Sequence, residues 1–288
     1  MITVFGASGL IGRHILELCA SDRVPAAGTC FRKNVPGLVR CDLAGSPEEA
    51  ASAAGEGPGR AIIAVGAGGV DHYRAHPAGA AALNAGIIRL LALLRNRGIV
   101  PALLSSDYVF EGVSGGYRED SPARPTTEYG RRKRELEEWV LANLREYRII
   151  RLGKVYGYAP GDGTLLTDIF DRLSRGDVFR AAVDQMVAPT SVRDAARGIL
   201  AITLGAESGV FHVSSPEVRS RYDLADSVRR ALGRGPELVE RVRLEDLSFG
   251  ERRPADTTMN ADATSARFGL SYRPLGTELA AISALYGG

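Results

Sequence analysis

Along the first half of the chain, short uninterrupted apolar runs alternate with stretches in which apolar residues recur every three or four positions. Ile2–Phe5 is such a run, followed by a glycine turn and a helical pattern through Leu16, Leu18 and Cys19. Val24–Phe31, Val39–Leu43, Ala61–Val65, Ile99–Leu104 and Ile149–Leu152 also read as strands. Apolar runs this short and unbroken suit strands covered on both faces, as in a parallel sheet. Helices are predicted from about Pro77 to Leu94, with Gly98 as the stop, and over Glu128–Leu144. Strands alternating with helices in this way predict an α/β fold of Rossmann type, a doubly wound parallel sheet.

Beyond Gly153 the alternation loosens. Gly153–Gly163 reads as a loop, with Ala159–Gly163 a candidate lid, and helical stretches follow near Leu165–Ser174, Val192–Leu204, Leu224–Leu232 and Leu275–Leu285. The division expected is a dinucleotide-binding domain over residues 1–154, with a return at 188–208. A smaller, mostly C-terminal substrate-binding region over 155–288 interleaves with the main sheet.

Composition narrows the class. At 288 residues, 45% hydrophobic and 24% charged, the chain reads as a globular protein with a sizeable core. A net charge of +2 gives no argument for nucleic acid. No apolar run is read as approaching the roughly 18 residues of a membrane span, and the N-terminal residues lead straight into structure, so a cytoplasmic protein without a membrane partner is expected. Cys19, Cys30 and Cys41 are odd in number and lack metal-ligand spacing, which favours reduced thiols and no metal.

The candidate chemistry begins at Gly6-Ala7-Ser8-Gly9-Leu10-Ile11-Gly12, a G-x-x-G-x-x-G turn between a strand and a helix. Glycines there allow a tight turn and a close approach to a diphosphate, which helix-terminal N–H groups favour. Gly6, Ser8, Gly9, Leu10, Ile11 and Gly12 are therefore expected to hold a dinucleotide. No acid stands at the end of the second strand to grip a ribose 2′-hydroxyl, whereas Arg32 and Lys33 can pair with a 2′-phosphate, which favours NADPH over NAD. Asp42, with Leu43 beside it, is placed near the adenine, and Gly66, Ala67 and Gly68 let the cofactor lie against backbone. Asn84 is read either as an exposed helix residue or as a support for the active-site strand.

The stretch from Ser105 to Lys133 carries the reaction. Ser105 and Ser106 end a strand, where open parallel sheets bind ligands. Tyr129 and Lys133 share one helix face, about 5–6 Å apart at Cβ. Reducing a ketone needs a hydride donor, a proton donor and a group to hold the carbonyl. For Tyr129 to act near neutrality its pKa must fall by roughly three units, about 4 kcal/mol. A unit positive charge about 4 Å away is worth around 4 kcal/mol at an effective dielectric near 20, so Lys133 has the right magnitude. Ser106 would hydrogen-bond the carbonyl oxygen.

These residues resemble the extended short-chain dehydrogenase/reductases, and within them the dTDP-4-dehydrorhamnose reductase-like family. That family's S-T-D-Y-V-F-D-G is matched by Ser105-Ser106-Asp107-Tyr108-Val109-Phe110-Glu111-Gly112, and its Y-G-x-x-K by Tyr129-Gly130-Arg131-Arg132-Lys133. Further likenesses are Val70-Asp71 before Pro77 and Asn84, Asp184-Gln185 before Pro189-Thr190, and Arg253-Pro254. The resemblance implies Ser106, Tyr129 and Lys133 as the catalytic set, the last two also touching the cofactor. The later half would then form a sugar-nucleotide pocket. Ser106, Asp107, Tyr108, Val109, Phe110, Lys154, Met186 and Arg253 are expected to face the substrate, with Arg252 and Arg253 able to clamp a diphosphate. Lys154 and Met186-Val187-Ala188 depart from the family's usual residues, which leaves the sugar open. A homodimer is compatible with this class. An NAD-dependent epimerase or dehydratase, a reductase of another secondary-metabolite ketone, and a non-catalytic cofactor-binding regulatory subunit stay open as alternatives.

Overall fold

The computed structural model describes residues 1–32 and 34–287, and the expectation for Lys33 lies outside them. In chain order the strands are β1 (Ile2–Phe5), β2 (Ala26–Cys30), β3 (Val39–Arg40), β4 (Gly59–Ile63), β5 (Ile99–Ser106), β6 (Arg148–Leu152), β7 (Lys154–Tyr156), β8 (Phe179–Ala182), β9 (Met186–Val187), β10 (Pro189–Ser191), β11 (Gly209–Val213), β12 (Arg219–Ser220) and β13 (Val239–Val242). The α-helices are α1 (Leu10–Ser21), α2 (Pro47–Ser52), α3 (Val70–Ala75), α4 (Pro77–Asn96), α5 (Glu128–Asn143), α6 (Leu165–Ser174), α7 (Val192–Leu204), α8 (Arg221–Ala231), α9 (Asp262–Phe268) and α10 (Leu275–Ser283).

Seven parallel strands form the central sheet in the order β11-β6-β5-β4-β1-β2-β3. All four residues of β1 are buried, as its unbroken apolar run requires in a sheet covered on both faces. On one face α1 and α7 pack together over Val4, Ile62, Leu104 and Ile150. On the other, α2, α4 and α5 cover Phe5, Ile63, Leu103 and Ile149. The winding reverses between β1 and β4, and ligands bind at the carboxyl ends of strands beside such a switch. The expected doubly wound parallel sheet is therefore present.

A separate cluster forms the second lobe: Tyr156, Phe170, Phe179, Leu224, Val239 and Ile282 come from β7, α6, β8, α8, β13 and α10. Leu10 and Ile11 of α1 pack against it, joining the glycine turn to this lobe. The chain comes back to the main sheet through α7 and then β11, which pairs with β6 along Gly209–Val213.

Three local readings need correction. Val24–Phe31 and Val39–Leu43 shrink to β2 and a two-residue β3, because only Thr29 and Cys30 find ladder partners in β3. Residues 154–156, read as loop, form β7, which pairs with β10 far along the chain. The claim that no apolar run is long enough to cross a membrane fails for α4, a 20-residue helix with an 18-residue window of mean hydropathy 1.6. Alanines and leucines give it that character. In this fold it is a core helix, with Ile87, Leu90, Leu91 and Leu94 fully buried under the sheet.

Candidate active site

β5 ends at Ser106, whose Oγ accepts the amide of Tyr108 at 3.2 Å and so caps the single 3-10 turn Asp107–Val109. The same hydroxyl donates to Asp107 Oδ1 at 2.8 Å, and Thr257 donates to Asp107 Oδ2 at 2.7 Å. Both carboxylate oxygens are thus held by hydroxyls. Burial pushes the Asp107 pKa up, opposed by Thr257, Ser106 and the charge of Lys154.

Above this turn stands the N-terminus of α5. Thr127 caps it by accepting the Gly130 amide at 3.1 Å. A Cβ on Gly130 would lie 2.1 Å from the Tyr108 carbonyl oxygen, so glycine lets the helix press onto the strand end and brings Tyr129 to Ser106. The Tyr129 ring is packed edge-on by Tyr73 and Tyr108, at centroid distances of 5.0 and 5.8 Å. One helical turn on, Lys133 is buried and donates to the Leu104 carbonyl at 3.0 Å, with its Nζ 5.9 Å from the Tyr129 ring centre.

The electrostatics differ from the simplest expectation. Burial is the largest influence on Tyr129 and raises its pKa, Tyr73, Asp107 and Tyr108 push the same way, and the neighbouring Ser106 hydroxyl pulls it down. In this state the phenol holds its proton at neutral pH, because loss of hydration outweighs any help from the ammonium. Burial lowers Lys133 to about 8, and the charge of Glu137 works against that drop.

Behind the strand end lies a buried ionic network. Ser105 donates to Glu137 Oε1 at 2.6 Å, and Arg151 grips both Glu137 oxygens at 3.0 and 2.9 Å. Asn84 is buried and donates to the Arg132 carbonyl at 2.8 Å and to Glu135 at 2.9 Å. It therefore braces the helix that carries Lys133, not the strand.

The glycine turn fits a dinucleotide diphosphate. A Cβ on Gly6 would meet the Ala64 carbonyl oxygen at 2.6 Å, and one on Gly12 would meet the Gly6 carbonyl oxygen at 2.4 Å, so only a bare backbone fits. The N-terminus of α1 has no side-chain cap and no acid in its first turn, leaving its amides for an anion. Thr29 anchors the turn, accepting the Gly6 amide on its hydroxyl at 3.3 Å and the Ala7 amide on its carbonyl at 2.8 Å. Ser8, Gly9, Leu10 and Ile11 line its open side, partly or fully exposed. At the end of β4, Gly66 and Gly68 are exposed, while the Ala67 amide is taken by the Tyr73 hydroxyl at 3.0 Å. Arg32 is exposed after β2. Asp42 closes a local turn onto the Ala44 amide at 3.0 Å, and the Leu43 side chain is buried in the core, leaving only its backbone for a ligand.

Asp107, Lys154, Tyr108, Arg221 and Arg253 gather in one charged cluster. Burial lowers Lys154, with Arg221 and Arg253 adding to that and Asp107 opposing it. Tyr108 is pushed up to about 12, chiefly by burial. Arg253 pairs with Asp71 at 2.6 Å, and Arg221 and Arg253 stand 5.7 and 5.0 Å from the Phe249 ring centre. Met186 is half-buried, and its amide donates to the Ala255 carbonyl at 2.8 Å. Val109 and Phe110 do not belong to this cluster. Both are fully buried with Tyr117 and Met259, Phe110 stacking on Tyr117 at 4.4 Å, so they are core residues instead.

Tyr73, Arg221, Glu251 and Thr257 escaped the sequence reading. Val70-Asp71 flagged the neighbourhood of Tyr73, but α3 has six residues and too little periodicity to be read. The other three come from far along the chain and carry no local signal.

Comparison with known proteins shows the family. The family model described as the RmlD substrate binding domain matches residues 1–286. A dTDP-4-dehydrorhamnose reductase of Streptomyces griseus is 32% identical over 244 residues, covering 82% of this chain and 77% of its own. A probable dTDP-4,6-dihydroxy-2-methyloxan-3-one 4-ketoreductase of Streptomyces antibioticus is 30% identical over 239 residues, covering 81% and 77%. Among solved structures, a dTDP-4-dehydrorhamnose reductase of Bacillus anthracis in complex with NADP superposes with a TM-score of 0.83 at 20% identity, covering 96% of each chain, which shows a shared fold. The match along nearly the whole length means that the chain belongs to the dTDP-4-dehydrorhamnose reductase family of extended short-chain dehydrogenase/reductases.

Proposed function

We propose that this protein reduces the keto group of a nucleotide-linked 4-keto-deoxysugar, with NADPH as the preferred cofactor. Membership of the family makes it an NAD(P)-dependent oxidoreductase. The observation that carries the finer reading is the convergence of Ser106, Tyr129 and Lys133 at the carboxyl end of β5, beside the glycine turn. Residues 1–154 with the return through α7 hold the cofactor, and the second lobe receives the sugar nucleotide.

The chemistry follows from what each group can do. NADPH supplies a hydride to the carbonyl carbon when bound. The Tyr129 phenol, kept protonated by its buried setting, gives its proton to the carbonyl oxygen as that oxygen becomes an alkoxide. The Ser106 hydroxyl, now shared with Asp107, turns to the same oxygen and fixes it for the transfer. Lys133, charged below its pKa of about 8, lies under the Tyr129 ring and stabilises the phenolate left behind. Asp107 holds Ser106 and Thr257 in place, so the strand end does not shift as charge moves.

NADPH oxidation followed on a panel of 4-keto-deoxysugar nucleotides tests the reading. Tyr129→Phe is expected to lose about 10²–10⁴-fold in kcat. Turnover undiminished in that variant rules the mechanism out. The preference for NADPH is supported by the exposed Arg32 at the end of β2 and the lack of an acid there. Arg32→Ala is expected to narrow the ratio of kcat/KM for NADPH over NADH, and an unchanged ratio would remove Arg32 from that role.

A further inference from the structure

A single loop, residues 249–257, ties together α3, the N-terminus of α5 and the turn after β5. Gly250 donates to Asp71 Oδ1 at 3.0 Å, and Arg253 pairs with Asp71 Oδ2 at 2.6 Å, so α3 is clasped from two positions. Glu251 reaches across to α5, its two oxygens each 3.0 Å from the Glu128 amide and one of them 3.2 Å from Arg131 Nη2. Further on, the amides of Ala255 and Asp256 both donate to the Gly112 carbonyl, Gln185 donates to the Pro254 carbonyl, and Thr257 holds Asp107.

Two features of this loop are unfinished. Arg253 Nη1 and Arg221 Nε are buried without a hydrogen-bond partner among the described residues, and the two guanidinium groups flank the same ring, Phe249. A buried charged donor left unpaired is costly, and an anion accepting from both would satisfy them. Glu128 is the first residue of α5 and Tyr129 the second, so the Glu251 carboxylate sits on an amide one residue from the phenol. An anionic group at a helix N-terminus is favoured by the free amides and the dipole, and its bond to N–H is charge-assisted.

We propose that Glu251 is a positioning residue for Tyr129, and that it couples an anion subsite at Arg221 and Arg253 to the placement of the catalytic helix. Only one residue separates Glu251 from Arg253, so a diphosphate drawn to the guanidinium pair fixes the loop segment that ends on the Glu128 amide. Binding energy from the non-reacting part of the substrate is then used to hold Tyr129 in its reactive place, which raises kcat and not affinity alone. This inference rests on the reductase reading above and adds to it what the diphosphate does beyond anchoring.

The test compares two substrates on three proteins. A 4-keto-6-deoxyhexose is supplied on dTDP and as the same sugar without phosphate, and kcat is measured for wild type, Glu251→Ala and Glu251→Gln. The wild type is expected to turn over the nucleotide-linked sugar at least about tenfold faster at saturation. In Glu251→Ala that ratio falls toward one, chiefly through the nucleotide sugar, and Glu251→Gln, which keeps an acceptor for the Glu128 amide, restores part of it. A variant that merely folds less well loses both substrates equally, and an unchanged ratio overturns the coupling. A second readout needs no turnover: free dTDP should slow hydrogen exchange at the amides of residues 128–131 in the wild type and not in Glu251→Ala. Equal protection in both proteins overturns the coupling and leaves the reductase reading standing. Lack of NADPH oxidation with either substrate in the wild type removes the reductase reading instead, and the role given to Tyr129 falls with it.

Discussion

The glycine turn and the charged cluster near Asp107 are built from different material. At the glycine turn, what is offered to a ligand is backbone, packed so tightly that Gly6 and Gly12 admit no side chain. At the other end, it is side chains from separate elements: Lys154 from β7, Arg221 from α8, and Phe249 and Arg253 from a loop. A backbone cradle serves any diphosphate and tolerates almost no change. Side-chain cations on independent segments can be exchanged one at a time, so under the proposed function this is the end that would set substrate identity.

The hardest blow to this contrast is aimed at the backbone end. Gly12→Ala places a methyl 2.4 Å from the Gly6 carbonyl oxygen and 2.7 Å from Ala7 Cα, and backbone cannot swing away as a side chain would. Overpacking of this sort costs about 1–3 kcal/mol of stability, and the turn opens where it should close on the diphosphate. NADPH binding, followed by fluorescence titration, should weaken by more than about tenfold, since each 1.4 kcal/mol is a factor of ten. Affinity equal to wild type would mean that the turn is not the cradle.

A smaller effect is expected at the side-chain end. Lys154→Met removes an ammonium that burial disfavours and whose pKa owes nothing to a hydrogen bond. Asp107 attracts this ammonium while burial, Arg221 and Arg253 disfavour it, so its loss should change the melting temperature little. NADPH affinity should hold while KM for the nucleotide sugar rises, by about tenfold if one charge contact worth about 1.4 kcal/mol is lost. A fall in melting temperature with no change in KM would make Lys154 a structural residue and weaken the contrast.

The same division decides what could be read from the chain. The strand-turn-helix around Gly6–Gly12 and the four-residue spacing of Tyr129 and Lys133 are local patterns, and the sheet puts both at one edge because consecutive parallel strands bring their carboxyl ends together. Gly130 stands inside that spacing for a reason outside its own helix, the carbonyl of Tyr108 pressing where a Cβ would stand. Glu251 and Thr257 act across 123 and 150 residues on Glu128 and Asp107, and no periodicity marks a loop for such a contact. Val109 and Phe110 illustrate the opposite error. The resemblance placed them at the pocket, but the 3-10 turn swings them into a core with Tyr117 and Met259.

The finest test separates the chemistry from the fold by pH. Burial holds Lys133 at about 8, below its ordinary 10.5, and Glu137 resists the drop. The groups around the ammonium are the Leu104 carbonyl from β5, the Tyr129 ring one turn back on α5, and Glu137 one turn on, itself shared with Ser105, Arg134 and Arg151. As pH rises through about 8 the ammonium is lost, so kcat/KM should decline above that point. Stability runs the other way for this group. Between about 8 and 10.5 the unfolded lysine binds more protons than the folded one, so its contribution to stability grows as pH rises across that window. An alkaline fall in activity without a matching fall in melting temperature is therefore the expected signature. Glu137→Gln should move the activity limb to lower pH, because the charge that props up the Lys133 pKa is gone. A profile that stays flat to about pH 9 in the wild type, well past the pKa of a free-enzyme acid near 8, would take Lys133 out of the rate-determining chemistry.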